Sequence, residues 1–119
     1  MKDFSRYKAA YQKRRAEEDR ELKVKARRAG AAAEKVARML AVEYGVKKVV
    51  LFGSVLNGRF GEASDIDLGV EGLEKGSFIR ALVEAESLAG FPVDIKPLED
   101  VRESFRERIR KTGKVLHEK

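Results

Sequence analysis

The sequence predicts a small α/β (α+β) domain, built as a mixed sheet with flanking helices and extended by an extra helical arm at the N-terminus. Stretches with apolar residues at helical spacing alternate with short runs rich in Val, Ile and Phe, and glycines punctuate the boundaries. A length of 119 residues fits one domain. The order helix, strand, loop, strand, helix, strand, helix is typical of a sheet covered on one or both faces.

The N-terminal arm is the most polar part of the chain. Phe4, Tyr7 and Tyr11 give residues 2–28 a short stripe at helical spacing, which fails in the charged run that follows. Residues 1–28 hold 11 Lys and Arg against 5 Asp and Glu, whereas residues 29–119 hold 15 against 15. The net charge of +6 therefore belongs to the arm. We predict a basic helical arm over 1–28 and a compact domain over 29–119.

Three interpretations of the arm stay open. It is a solvated basic helix, a helix that docks on a partner protein or a second copy, or a contact for nucleic acid, since basic runs bind phosphates without sequence preference. The solvated helix is the default interpretation, and the aromatic stripe, which such a helix would leave exposed, is the argument for docking. Homo-oligomers and hetero-oligomers are both compatible with this pattern.

The first helix and strand of the domain are predicted from periodicity and glycine. The helix continues over 29–44 on a stripe of small and aliphatic residues and ends at Gly45 as a C-terminal cap. Residues 46–52 follow as a strand that ends in an apolar run. Glycines at 53, 58 and 61 predict a loop or short helix next. In the second strand, Ile66, Leu68 and Val70 alternate with Asp65, Asp67 and Gly69.

The C-terminal half predicts a helix, a strand and a second helix. Ser77 is expected to cap a helix over 78–89, with Phe78, Leu82, Ala85, Leu88 and Ala89 inward and Gly90 closing it. Residues 91–95 read as a third strand. After Pro97 we expect a helix with Glu99 and Asp100 in its first turn and Val101, Phe105 and Ile109 as its apolar stripe. Residues 114–117 are a last strand or a tail, and Phe52, Ile66, Leu68 and Phe105 are predicted to be core.

Two carboxylates on one strand face indicate a divalent-cation site. Asp65 and Asp67 stand two positions apart, so both side chains project from the same face. Oxygen ligands suit Mg²⁺ or Mn²⁺, which nucleotide-handling sites hold through a few carboxylates and substrate phosphates. Asp94, on another strand, is placed to complete the site beside an attacking hydroxyl.

Gly53 and Ser54 supply the second half of the predicted site. Glycine at the end of a strand lets the backbone turn sharply and lets a triphosphate come close. Ser54 adds a hydroxyl and a backbone N–H, and a helix starting there would aim further N–H groups at an anion. Nucleotidyl transfer needs mainly positioning and charge neutralisation, which these groups supply together.

The spacing of these residues resembles a known signature. Gly53-Ser54, ten residues, then Asp65-Ile66-Asp67 is similar to the Gly-Ser-x10-Asp-x-Asp pattern of the polymerase β-like nucleotidyltransferases. Asp94 matches the third family carboxylate. The match runs over about residues 31–116, leaves 1–28 uncovered, and is closest to the minimal nucleotidyltransferases that are paired as antitoxins with HEPN-domain toxins.

The resemblance implies a reaction and a set of roles. A nucleoside monophosphate, AMP from ATP in the toxin–antitoxin members, passes to a hydroxyl that a tyrosine of the HEPN toxin supplies. Asp65 and Asp67 would bind the metal ions, Asp94 would bind metal and help activate the hydroxyl, and Gly53 and Ser54 would hold the nucleotide. The family commonly has basic residues in the four positions after Gly-Ser, but here residues 55–58 are neutral.

The nearest cation after that neutral run is Arg59, which is assigned to nucleotide binding. Lys96, on the strand face of Asp94, is a candidate to replace the missing basic residues.

Two other functions stay open: a non-catalytic protein that neutralises a partner ribonuclease by binding, and a small-molecule, antibiotic-type nucleotidyltransferase. The second normally needs an added domain to hold its acceptor.

Composition excludes several other classes of protein. The chain has no cysteine, so disulfide frameworks and thiolate metal sites are excluded. No apolar run reaches transmembrane length and no signal peptide is recognisable, which leads us to expect a cytoplasmic protein. Charged residues make up 39% of the chain while side-chain amides are few, a composition typical of thermophiles. His117, the single histidine, is expected at the surface without a role.

Overall fold

The computed structural model describes residues 4–58, 60–61 and 64–119. Its first element is one helix, α1, Ser5–Tyr44, which runs without a break across residues 28 and 29. Gly45 ends it with a φ of 63°, as predicted for a glycine cap. The buried positions of α1 begin only at Ala26, so the N-terminal half of the helix extends beyond the rest of the protein.

Four strands form one mixed sheet, which confirms the predicted α/β architecture. They are β1 Lys48–Phe52, β2 Ile66–Glu71, β3 Val93–Pro97 and β4 Lys114–Glu118, in the order β3-β2-β1-β4. The pair β2–β3 is parallel, while β1 pairs antiparallel with both of its neighbours. The C-terminal residues are thus an edge strand and not a tail.

Two further helices cover the sheet, α2 Phe78–Ala89 and α3 Glu103–Thr112. Helix α2 has the predicted bounds and Ser77 occupies its N-cap position, but Ser77 is the last residue of a 3-10 turn and its side chain makes no capping hydrogen bond. Leu88 is also misplaced by the prediction, since it is 47% exposed while Ala81 is buried instead.

The third strand and the last helix each begin later than predicted. Phe91 precedes β3 and stacks edge-on against Phe60, with ring centroids 5.2 Å apart. Glu99 and Asp100 lie in the turn before α3, and the acid in the first turn of that helix is Glu103. Glu99 instead accepts a hydrogen bond from the backbone of Gly72 at 2.9 Å. The turn delays the helix by several residues beyond Pro97.

The apolar core lies on both faces of the sheet. On one face, α1 and α2 pack over buried residues such as Val49, Leu51, Ile66 and Leu68. The burial of Ile66 and Leu68 confirms the prediction that they belong to the core. On the other face α3 covers a smaller cluster. Its buried members are Val50, Leu98 and Ile109, with Phe52, Val101 and Phe105 packed partly buried around them. Phe52 and Phe105 are thus at the rim of this second core.

The N-terminal half of α1 gives the molecule an elongated shape. The principal extents are 68 × 31 × 20 Å and the radius of gyration is 18.0 Å. A compact domain of this length has a radius of gyration of about 13–14 Å. Within the described residues, no helix combines the length and the apolar character needed to cross a membrane.

Candidate nucleotidyl-transfer site

Two of the predicted carboxylates face each other across neighbouring strands. In the parallel pair β2–β3, Asp67 and Asp94 are direct register partners. Asp65 immediately precedes β2, and its charge acts on Asp67, so the two carboxylates are near each other. The fold thus brings together three acids that the sequence spreads over 30 residues.

Gly53 lies directly against one of these three carboxylates, that of Asp67. The antiparallel register sets Phe52 opposite Asp67, and β1 ends there. Gly53 then turns the chain with a φ of +84° into the 3-10 turn Gly53–Val55, which also holds Ser54. A Cβ built at Gly53 would collide with the Asp67 carboxylate. The close approach that sequence reasoning assigned to a triphosphate is therefore made, in this structure, by the protein's own Asp67.

The electrostatics of the site show an excess of negative charge. Partial burial raises the pKa of Asp67, and the neighbouring charges of Asp94 and then Asp65 raise it further. Lys96 acts in the opposite direction. Its Nζ lies 3.1 Å from Oδ2 of Asp94, so the cation that the sequence suggested on this strand face does join the site. Among the described residues, Lys96 forms an ion pair with Asp94 and its charge also acts on Asp67, so one ammonium group serves both carboxylates.

The donor set fits a divalent cation that is held partly by substrate. No group of three or more His, Cys, Asp or Glu side chains in the described part of the chain encloses a metal position. A site for Mg²⁺ usually takes only one or two carboxylates from the protein and completes its octahedron with water and phosphate oxygens. Asp67 and Asp94, with Asp65 beside them, would offer that set, and their unbalanced charge favours a cation.

An open cleft of about 460 Å³ adjoins Gly53 on the α3 side. Phe52 and Phe105 meet edge-on at one wall, with ring centroids 5.8 Å apart. The complete lining is Phe52, Gly53, Leu56, Asn57, Phe105, Arg108, Ile109 and Thr112. A cleft with aromatic walls and a few amide, hydroxyl and charged groups is typical of small-molecule sites.

Arg108 is the cleft residue that sequence reasoning missed. It is exposed on α3, and the periodicity of that helix marks it only as part of a solvated face. Its nearness to Gly53 comes from the packing of α3 on β1, a long-range contact that no local pattern reveals. Arg59, the cation predicted to bind the nucleotide, lies outside the described residues.

Comparison with known proteins places this site in a family. The family model for polymerase beta nucleotidyltransferases matches residues 34–119, whereas none of the curated proteins matches the chain. A solved structure described as a candidate minimal nucleotidyltransferase is 32% identical, with 70% of this chain and 87% of that chain covered and a TM-score of 0.59.

Two toxin–antitoxin structures share the fold. One, solved with AMP-PNP, is 22% identical over 72% of this chain and 73% of its own, with a TM-score of 0.63. The other, a MntA-HepT complex, is 19% identical over 76% of this chain and 73% of its own, with a TM-score of 0.59. Because the family model covers most of the chain and includes every acid of the site, this protein belongs to the polymerase β nucleotidyltransferase family.

Proposed function

We propose that this protein transfers AMP from ATP to a hydroxyl of a partner protein, depends on a divalent cation, and acts as the antitoxin of a HEPN-domain toxin. The observation that carries the proposal is the direct pairing of Asp67 with Asp94, beside a strand end where Gly53 turns the chain. This arrangement supports metal-assisted transfer of a phosphoryl-type group, because it concentrates anionic oxygens next to a turn and an open cleft.

The reaction assigns a role to each side chain. The hydroxyl oxygen of the acceptor attacks the α-phosphorus of ATP, the bond to the β-phosphate oxygen breaks, and pyrophosphate leaves. Asp94 accepts the hydroxyl proton, and Lys96, 3.1 Å away, holds that carboxylate in place. Asp65, Asp67 and Asp94 would hold Mg²⁺ or Mn²⁺, which would supply charge neutralisation on the triphosphate.

The antitoxin role is supported by the toxin–antitoxin structures that share this fold. One of them was solved with AMP-PNP, an ATP analogue, which supports ATP as the donor for the present chain.

The test is transfer of label from α-labelled ATP with Mg²⁺, with and without a HEPN-domain protein from the same source as the acceptor. We expect labelled HEPN protein, and we expect the label to disappear in the double variant Asp65→Asn, Asp67→Asn, which removes ligand charge at nearly constant shape. A loss of at least about a thousandfold is the expected scale. Undiminished labelling by the double variant would overturn the catalytic assignment.

A second function, neutralisation of a ribonuclease by binding alone, is favoured by the exposed Phe4, Tyr7 and Tyr11. The same double variant separates the two. If it still neutralises the toxin while labelling is absent, binding and not transfer is the antitoxin mechanism. Neutralisation that disappears together with labelling supports the enzymatic one.

Arg108 is expected to bind the triphosphate in place of the basic residues missing after Ser54. Arg108→Ala should raise the KM for ATP by about tenfold with a smaller change in kcat, because a guanidinium–phosphate contact made in both ground and transition state affects binding. Lys111→Ala, one turn further along the exposed side of α3, is the matched control and should leave KM unchanged. Equal effects of the two substitutions would show that general charge, not Arg108, matters.

A further inference from the structure

The exposed part of α1 continues the same face that is buried in the body of the protein. Phe4, Tyr7 and Tyr11 are 65%, 74% and 55% exposed. At about 100° per residue, their side chains leave the helix in the same direction as those that pack into the core. Those core-facing residues of α1 include Ala29, Ala33, Val36 and Leu40. The apolar stripe of the helix therefore runs past the edge of the domain and is left uncovered there.

This uncovered stripe is set in strongly positive surroundings. Residues 5–16 contain five cations and no acid. Lys8 and Arg15 flank the aromatic stripe on one side, and Arg15 lies over the Tyr11 ring with its guanidinium carbon 5.9 Å from the centroid. A helical segment as short as residues 5–16 is marginal in water when it has no tertiary contacts. A covering surface would stabilise it, and that surface should be apolar with acidic neighbours.

The outer face of α2 has these properties. Ile79 and Val83, one helical turn apart, are 69% and 62% exposed. Beside them Glu43, near the end of α1, shares a hydrogen bond with Glu84, and this contact between two carboxyl groups raises the pKa of Glu43. Within the described residues, neither Glu43 nor Glu84 forms an ion pair with a cation. This includes Arg80, which lies on α2 with Glu84. The face is apolar and is bordered by the Glu43–Glu84 carboxyl pair, with the cation Arg80 nearby on α2.

We propose that the arm, residues 4–16, docks on the α2 face of a second copy of this chain. The aromatic stripe would cover Ile79 and Val83, and the cations beside it would meet the Glu43–Glu84 pair. Each copy carries both halves of the contact, so one two-fold axis satisfies both arms in a closed dimer. The inference does not depend on catalysis and holds whether or not the chain transfers AMP.

The distribution of charge around the arm favours a protein surface over nucleic acid. Arg6 and Lys13 project from the side of the helix opposite to the aromatic stripe, so the cations surround the arm, while the apolar residues occupy one side only. Backbone phosphates would be recognised by charge, which has no preferred side here. The one-sided feature is apolar, and its chemistry matches α2.

The test is the mass of the full chain in solution, measured by sedimentation equilibrium over a wide range of concentrations. We expect twice the mass of one chain. The variant Lys8→Glu, Arg15→Glu should weaken association at least about tenfold, as should Glu43→Lys, Glu84→Lys. Combining all four changes in one chain exchanges the charges and should restore the dimer. A merely structural role of these residues would not produce that rescue.

The matched control is Arg6→Glu, Lys13→Glu, which reverses two cations on the far side of the same helix and should leave association unchanged. Circular dichroism of each variant checks that the fold is intact, which is expected since Lys8 and Arg15 are exposed. A chain that is monomeric at every concentration, a dimer indifferent to Lys8→Glu, Arg15→Glu, or four changes that fail to restore association would each overturn the proposal.

Discussion

Asp67→Asn is expected to make the free protein more stable while it abolishes nucleotidyl transfer. Burial and the charges of Asp94 and Asp65 raise the pKa of Asp67 in the folded state. A carboxyl whose folded pKa exceeds its unfolded value binds protons more tightly when folded, so its ionisation lowers stability as pH rises. Asparagine removes that charge at nearly constant shape. Because Asp67 is only partly buried and solvent screens the repulsion, its relief is worth about 1 kcal/mol at most.

The measurement is thermal unfolding of both proteins, without divalent cations, from acid to neutral pH. At neutral pH the Tm of Asp67→Asn should exceed that of the parent by about 4 °C. The difference should shrink as pH falls and Asp67 becomes protonated in the folded parent. Asp100→Asn, in an exposed turn away from the site, is the control and should show no such pH-dependent gain.

A divalent cation should reverse the order of stability. Mg²⁺ bound at Asp67 and Asp94 would stabilise the parent by mass action, and the Asn variant should gain much less. If Asp67→Asn is no more stable than the parent at neutral pH without metal, the site does not hold the excess negative charge inferred from its geometry. The stabilised but inactive variant is the signature of a site that sacrifices stability for function.

Local patterns in the sequence were sufficient to predict the elements that carry the site. The alternation around Asp65 and Asp67 identified a strand, and the Gly53 position marked its neighbour's end. That Asp94 is the register partner of Asp67 could not be read from sequence, because strand order is decided by which apolar faces pack together across the whole chain. Family resemblance, not periodicity, suggested that the third acid belonged to the site.

The errors of the sequence reading also have physical causes. Glu99 and Asp100 have the residue types that favour helix starts, yet both lie in the turn before α3, while Ser77 stands at the predicted start of α2 without a capping hydrogen bond. Turn and cap chemistry use the same side chains, so composition alone does not fix the boundary. Arg108 was overlooked for a different reason. An exposed arginine on a helix is common, and only the packing of α3 beside Gly53 distinguishes this one.

Gly53→Ala is expected to cost activity far more than stability. The backbone at Gly53 has a φ of +84°, which costs an alanine about 1–2 kcal/mol. The new Cβ would also collide with the Asp67 carboxylate, which must then move. Displacing a catalytic group by about 1 Å can cost about a hundredfold in rate. We therefore expect kcat to fall by about that factor, and the divalent-cation concentration needed for half-maximal activity to rise.

Gly90→Ala separates strain from collision. Gly90 ends α2 with a φ of +71°, and a Cβ there meets nothing within 4 Å. This variant should lose about the same 1–2 kcal/mol of stability to backbone strain and keep full activity. Urea unfolding and initial rates at saturating ATP, measured on both proteins, test the pair. If the two variants lose activity equally, backbone strain and not the Asp67 contact explains why this strand end needs glycine.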